Sequence, residues 1–500
     1  MKIVCYTALL LLILACQNGQ EHAKETSVFQ NVLFIISDDL ANHAVACYGN
    51  KIIRTPNIDR LAKMGVRFEN AYANSPMCTP SRACIMTGRY PHATGVTLLH
   101  TPLPDSIYTL AEHLKKAGFA TGAFGKTHFN SGSKHGFDTL VNNQQHREDL
   151  IKISSITLVD TISYKTRPPW KPFQAPASIW LNAEGATSGL HFNNSQGTFF
   201  AKSTINFIRE HQDQRFFALA SFREPHSPFN FPIEYEGKYD NADIDLPKVS
   251  EEDDRWIPEI FRDLTEEEKK GIIRSYYTSV EYMDRNVGLL LDELEQLNLM
   301  EKTLVIFVGD HGYLLNHHGR FEKHMMWEEA VKTPLIIKGY DKGRAENSLV
   351  ELADIAPTIV KAVGLEVMPN QHGKVLQNLL SESSKEHRDA VFSVYYTDNK
   401  AMIFDGRWKY IFTSGKRDLG SGYATGFPPS GVLHRLYDLE NDPQEAINVA
   451  EVIDNQEHLE RLQRVMLEKF RKTHPMQSSI STSLTVKEQL VSFCEPVEQE

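Results

Sequence analysis

Short, continuous apolar runs alternate with amphipathic segments through the first two thirds of the chain. Val32-Leu33-Phe34-Ile35-Ile36 reads as a strand buried on both faces and ends in Ser37-Asp38-Asp39. Thr121-Gly122-Ala123-Phe124 is a shorter strand that runs into Gly125-Lys126-Thr127-His128. Phe216 to Phe222 is another and runs into Glu224-Pro225-His226. Leu304-Val305-Ile306-Phe307-Val308 is the clearest and runs into Gly309-Asp310-His311-Gly312. Runs without a polar position inside them mark strands covered on both faces by helices. Asn57 to Lys63 and Leu110 to Lys116 carry apolar residues at helical spacing. Glu267 to Asn298 is a long amphipathic helix, with Val280, Met283, Val287, Leu290, Leu291 and Leu294 on one stripe. That stripe is core packing and carries no chemistry. The pattern predicts an α/β fold with a large, mostly parallel sheet flanked by helices. Ligands bind such sheets at the carboxyl ends of the strands. Four strands therefore bring polar residues to one edge, which packing alone does not require.

The texture changes to Ser, Glu and Lys near Ser381 to Arg388. Beyond it, Ala390 to Tyr396, Ala401 to Phe404, Trp408 to Phe412 and Arg435 to Leu439 read as strands, with Asp405-Gly406 as a hairpin turn. Ile453 to Lys472 reads as a helix, apolar at Leu459, Leu462, Val465, Met466 and Phe470. The expected organisation is a catalytic domain over 31–385, then a C-terminal subdomain with an antiparallel sheet and one helix over 386–475. A polar tail, partly ordered at best, is expected over 476–500. Two units suit 500 residues, which exceed one ordinary domain. Arg167 to Asn194, rich in Pro, Trp, Asn and Gly, reads as a long surface loop or insertion.

The N-terminus reads as an export signal over 1–16 and a polar tether over 17–30. Lys2 precedes an apolar run, Ala8 to Ala15, that is too short to span and anchor as a mature helix. Ile13-Leu14-Ala15-Cys16 resembles a bacterial lipobox, whose cysteine is lipidated and becomes the mature N-terminus. An ordinary secretory signal cut nearby is the alternative. The expected location is outside the cytoplasm, lipid-anchored at the bacterial cell surface or facing the periplasm. Membrane contact is expected only through that anchor. A net charge of −11 argues against nucleic acid as a partner. It also means that an anionic substrate needs a local cluster of Lys, Arg and metal. Of six cysteines, Cys5 and Cys16 fall in the signal. Cys47, Cys84 and Cys494 allow at most one disulfide, with the pairing open.

One motif names a chemistry. Cys78-Thr79-Pro80-Ser81-Arg82 is followed by Thr87-Gly88-Arg89-Tyr90-Pro91. C-x-P-x-R followed by Gly-Arg-Tyr-Pro resembles the signature of the type I sulfatases of the alkaline phosphatase superfamily. The spacing around Cys78 and Asp310-His311 is most similar to the iduronate-2-sulfatase-like branch. The resemblance covers nearly the whole chain after the signal. It implies that a formylglycine-generating maturation enzyme converts Cys78 to formylglycine, whose hydrate attacks sulfur. It implies a divalent metal at Asp38, Asp39, Asp310 and His311, in contact with residue 78. That metal is usually calcium, with magnesium as the rival, and three carboxylates suit a hard cation. It implies that Lys126 and Lys323 clamp the sulfate and that Arg82 hydrogen-bonds the hydrated aldehyde. It implies that His226 protonates the leaving sugar oxygen and that His128 takes the proton that restores the aldehyde, or the reverse. A helix starting near Pro80 would seat the sulfate at its N-terminus.

Three positions depart from the common pattern: His311 for asparagine, Thr127 for tryptophan and Glu224 for lysine. His100, His317, His318 and Arg320 are candidates for substrate contact. The expected activity is hydrolysis of sulfate esters, including N-sulfate, of a carbohydrate. Algal polysaccharide such as ulvan, or glycosaminoglycan oligosaccharide, is the expected substrate class. The rivals are a phosphonate or phosphodiester hydrolase using the same nucleophile, and an inactive glycan-binding lipoprotein.

Overall fold

A computed structural model of the protein describes residues 29–152, 185–340, 342–381, 387–414 and 431–496. The signal, residues 17–28 of the tether and residues 167–184 of the loop lie outside the described residues; Phe29, at the end of the expected tether, is instead buried in the core. In chain order the first elements are β1 (Asn31–Asp38), α1 (Pro56–Met64), β2 (Gly65–Phe68), α2 (Cys78–Thr87) and α3 (Leu110–Lys116). Then come β3 (Ala120–Gly125), β4 (Thr139–Val141), α4 (Asn143–Lys152), α5 (Gln196–Glu210), β5 (Phe216–Pro225) and α6 (Glu266–Gln296). Next are β6 (Thr303–Gly309), β7 (Leu335–Lys338), β8 (Arg344–Glu346) and α7 (Ile355–Ala362). Eight strands form one sheet in the order β8-β2-β7-β6-β1-β5-β3-β4. Only the β7 pairings are antiparallel.

Every residue of β1 is buried, as a strand with helices on both faces requires. Leu33 and Ile35 point into one core with α1, α5 and α6. Val32, Phe34 and Ile36 point into the other with α2, α3 and α7. The predicted stripe on α6 lies wholly inside the first core. A capping box between Thr265 and Glu268 starts that helix.

Register aligns the functional ends. Ser37 pairs with Gly309, Ile36 with Ser221 and Gly125 with Ser221. The residues that follow β1, β3, β5 and β6 therefore emerge at one level on the carboxyl edge. Gly125 makes that alignment possible: its φ is 110°, and a Cβ there would sit 1.9 Å from the Ser221 carbonyl oxygen. Helix α2 starts at Cys78, two residues earlier than Pro80. Cys78 thus occupies the first helical position, in the turn whose N–H groups lack intrahelical acceptors.

The C-terminal residues form a four-stranded antiparallel sheet in the order β9 (Val391–Tyr395), β10 (Lys400–Phe404), β11 (Trp408–Thr413) and β12 (Leu433–Asp438). Asp405 accepts the N–H groups of Arg407 and Trp408 and so closes the β10–β11 turn. Helix α8 (Gln456–Thr473) covers the sheet with Leu459, Leu462, Met466 and Phe470. The expected tail differs. It carries α9 (Val486–Phe493), capped by Thr485 and Glu488, and buries Leu490, Phe493 and Cys494 in the same core. Phe493 stacks on Phe470 at 5.2 Å. A few apolar residues at helical spacing suffice to dock it, although the surrounding composition is polar. The described end of the 167–194 stretch holds a short strand, Gly185–Thr187, paired with Phe229–Phe231. Cys47, Cys78, Cys84 and Cys494 are free thiols. Among the described residues, no helix is long and apolar enough to cross a membrane.

Candidate active site

The centre is built on Cys78. Its Sγ lies 3.7 Å from Asp39 Oδ1, 3.3 Å from His311 Nε2 and 3.2 Å from Lys323 Nζ. Lys323 also donates to Asp39 Oδ1 at 2.5 Å. Asp310 Oδ1 accepts the backbone N–H of Asp39 (3.1 Å) and of His311 (3.0 Å), which ties the end of β1 to the end of β6. Lys126 donates to Asp38 Oδ2. Asp39 and His128 both adopt left-handed backbone, with φ of 62° and 56°. For non-glycine residues such conformations cost about 1–3 kcal/mol each and gather at functional sites.

Arg82 sits differently from the expectation. Its Nε donates to Asp310 Oδ2 (2.8 Å), and its Nη1 donates to Ser221 Oγ (2.7 Å) and the Lys126 carbonyl (2.6 Å). Its Nη2 faces Asp38 Oδ1 at 3.5 Å. The guanidinium thus braces four strand ends, two of them through carboxylates, with no hydrogen bond to the Cys78 thiol among these contacts.

The histidines have defined protons. His311 Nδ1 donates to the Gly312 carbonyl (2.9 Å), so Nε2 turns a lone pair to the centre. His226 Nδ1 donates to the Ser227 carbonyl (2.6 Å), with Nε2 at 3.9 Å from Asp39 Oδ2. Thr79 gives its hydroxyl proton to the Leu99 carbonyl (2.7 Å), so its oxygen accepts from His128 Nδ1 (3.1 Å). That leaves His128 Nε2 bare.

Burial alone would raise Asp38, but Lys126, His226 and Arg82 hold it well below the usual carboxylate range. Burial would likewise raise Asp39, and His226 and Lys323 overcome it. For Asp310 burial wins over His311 and Arg82, and its carboxyl is raised. Burial, then the charge of Asp38, pushes the Cys78 thiol well above the ordinary thiol range. Burial drives His226 down to about 3, with the two lysines helping. Burial, Lys126 and Arg82 drive His128 down to about 2.

The residues fit a divalent cation. Asp38 Oδ1 and Asp39 Oδ2 are buried without a hydrogen-bond partner, although both side chains are ionised. A buried charge left so is costly. Ligand atoms of Asp38, Cys78, Asp310 and His311 lie within 4.8 Å of one another, as do those of Asp38, Asp39, Cys78 and His226. Carboxylate oxygens with one imidazole nitrogen suit a hard cation that tolerates mixed donors.

The four substrate-contact candidates separate. His100 is exposed, beside Leu99, whose carbonyl anchors Thr79 and Asn130. His317 is half-buried, 3.2 Å from Glu329, and lines a different cavity of about 590 Å³ whose walls include His43 and Arg407 but none of the central residues. His318 is buried between Asp253 and Glu329 and lies flat on Trp327 at 4.0 Å. Arg320 is buried against Glu322 and the Trp256 carbonyl. His318 and Arg320 are therefore structural: their polar atoms are already engaged away from the centre. Sequence reasoning gave no role to Thr79, Ser221 or Tyr276, whose hydroxyl donates to the Asp39 carbonyl (2.5 Å). Nothing in their local sequence distinguishes them from core residues.

Comparison with known proteins fixes the family. The family model described as Sulfatase matches residues 30–365, about two thirds of the chain. The chain belongs to the sulfatase family. A second model, N-sulphoglucosamine sulphohydrolase, C-terminal, matches residues 316–473 of the sulfatase. A "Sulfatase" of Formosa agariphila is 28% identical over 93% of this chain and 92% of its own. The N-acetylglucosamine-6-O-sulfatase of Bacteroides thetaiotaomicron is 25% identical over 93% and 90%. Human iduronate 2-sulfatase is 28% identical over 70% and 72%. In fold, a phosphonate monoester hydrolase from Silicibacter pomeroyi matches with TM-score 0.74 at 22% identity, over 91% of this chain and 98% of its own. A protein solved with its substrate D-glucosamine-2-N,6-O-disulfate matches with TM-score 0.70 at 21% identity, over 90% and 98%. The enzyme is a sulfuric ester hydrolase with the alkaline-phosphatase-like fold.

Proposed function

We propose that the sulfatase removes sulfate from a sulfated carbohydrate at the Cys78 centre, with Cys78 matured to formylglycine and calcium held by Asp38, Asp39, Asp310 and His311. One observation carries the reading: two bare, buried carboxylate oxygens stand beside Cys78 at the first turn of a helix, flanked by two lysines. Relatives named as N-acetylglucosamine-6-O-sulfatase, ulvan-active sulfatase and iduronate 2-sulfatase support a sulfated glycan as substrate. The N-terminal segment, in this reading, exports the enzyme and anchors it by lipid at Cys16.

The encoded thiol is a poor nucleophile here. Burial and Asp38 keep it protonated, and only a thiolate attacks well. Conversion by a maturation enzyme supplies instead the hydroxyls of a hydrated aldehyde. Calcium, when bound, supplies positive charge that draws sulfate oxygens and favours an ionised hydroxyl at residue 78. Lys126 and Lys323 then turn from Asp38 and Asp39 to the sulfate oxygens, where charge shifts during reaction. His226, with Nδ1 tied to Ser227, presents Nε2 to the leaving oxygen. Bound sulfate places negative charge beside it and restores the proton affinity that burial removes. His128, with Nε2 bare, takes the proton from the second hydroxyl.

The fold match to a phosphonate monoester hydrolase keeps that activity as the second reading. The test is ion chromatography of sulfate and phosphate released from sulfated oligosaccharides and from phosphate and phosphonate esters, with Cys78→Ala as the control. Sulfate released by wild type alone is expected. Faster release from the phosphorus esters would transfer the enzyme to the second reading.

A further inference from the structure

Beside His226, a separate pocket of about 170 Å³ opens off the centre. That is room for roughly six waters at about 30 Å³ each, or for one sugar ring. His226 lines both spaces, 3.9 Å from Asp39 on one side and in the wall of the pocket on the other. The pocket holds an acid that the mechanism does not use. Glu224 is 6% exposed, and its Oε2 has no hydrogen-bond partner. Ser37, next to Asp38, fixes its place by donating to the Glu224 carbonyl at 2.9 Å. Opposite it, α5 opens with Gly197, where a Cβ would stand 3.1 Å from both carboxylate oxygens. A glycine there lets α5 pack closely against the acid. Arg223 also lines the pocket, with its Nη2 donating to the Ser227 carbonyl at 3.3 Å. Tyr282 and Phe231 supply an aromatic wall, of the kind a sugar face packs against. A few placed polar groups within such walls are what fixes a small ligand's orientation.

We propose that this pocket receives the ring hydroxyls of the sugar whose sulfate lies at Cys78, with Glu224 as the residue that sets specificity. Its carboxylate oxygen accepts a neutral hydroxyl, and Arg223 donates to the next one. Burial raises the Glu224 carboxyl to about 7, so near neutral pH it can accept from one hydroxyl or donate to another. This proposal rests on the sulfatase reading.

The test compares wild type, Glu224→Gln and Glu224→Ala on 4-nitrophenyl sulfate and on singly sulfated hexoses. For the singly sulfated sugar, KM in Glu224→Gln and Glu224→Ala is expected to rise about tenfold, the size of a lost hydrogen bond. The loss on 4-nitrophenyl sulfate, which carries no ring hydroxyl, is expected to be at least about tenfold smaller. Equal losses on the aryl and sugar esters, or an unchanged KM in variants that melt like wild type, would overturn the proposal. A separate binding measurement covers failure of the sulfatase reading itself, shown by no sulfate release from any ester. In calorimetry with N-acetylglucosamine 6-sulfate, Cys78→Ala should bind about tenfold more tightly than Cys78→Ala with Glu224→Gln. Equal binding, or none to either, would overturn the pocket whatever the reaction.

Discussion

Two buried clusters of acids and histidines share one stretch of chain, and they are built to opposite ends. At the first, Asp310-His311 joins Asp38 and Asp39 around Cys78. Two carboxylate oxygens there are bare, and the histidine lone pair faces inward. A few residues on, His318 lies between Asp253 (2.7 Å) and Glu329 (3.6 Å) and is stacked on Trp327. Burial would lower it, yet hydrogen bonds to Asp253 and Glu329 raise it to about 9. The second cluster sets its imidazole between two carboxylates, and the first turns two carboxylates and a histidine lone pair towards Cys78. Residue type is common to both, and each holds a buried carboxylate oxygen without a hydrogen-bond partner, Glu329 Oε2 in the second. What separates them is that the second brackets one imidazole between two carboxylates, whereas the first gathers its carboxylates, a histidine lone pair and two lysines around Cys78.

Chelation breaks the comparison hardest. Treating the matured enzyme with excess EDTA should abolish sulfate release, and added calcium should restore it better than magnesium. The His318 cluster should be indifferent, with the melting of His318→Gln responding to calcium as wild type does. Next in size, Asp39→Asn removes the charge that faces Cys78 and Lys323 and should lower kcat/KM by about 10³-fold. Then His226→Ala should lower kcat on sugar sulfates by about 10²–10⁴-fold. It should spare 4-nitrophenyl sulfate, whose leaving group needs no proton. An equal loss on both esters would give the acid role to His128.

The smallest expected effect is on stability. The folded pKa of His318, about 9, lies above its ordinary value of 6.5. Its contribution is therefore fully present below pH 6.5 and is lost as pH rises towards about 9. Denaturant unfolding should show wild type losing at most about 3 kcal/mol over that window, and His318→Gln should lack this decline. A decline of the same size in the variant would remove His318 as its source.

The main sheet was legible because its strands are unbroken apolar runs that end in polar residues. Register then had to bring Asp38, Lys126, His226 and Asp310 together. The predicted start of α2 at Pro80 was two residues late, since Thr79-Pro80 reads as an N-cap and first helical position, whereas the helix begins at Cys78 after Met77, which gives no side-chain cap. The tail hid its helix because Val486, Leu490, Val491 and Phe493 are scattered apolar residues within a stretch that is otherwise polar. His318 and Arg320 read as polar loop residues near a metal motif. Only their partners, Asp253 and the Trp256 carbonyl, reveal them as buried supports. Those partners lie more than sixty residues away. Arg82 shows the same reach: one helical turn from Cys78, its Nε and Nη1 are held by Asp310 and Ser221 from distant strands, and its Nη2 has no hydrogen-bond partner.

The most direct measurement is sulfate release by wild type, Cys78→Ala and His318→Gln, each scaled to its folded fraction and checked for formylglycine at residue 78 by peptide mass. Sulfate from wild type and His318→Gln, with none from Cys78→Ala, is the expected result. Release by Cys78→Ala at the wild-type rate, or its loss in folded, matured His318→Gln, would contradict placing the chemistry at the first cluster alone.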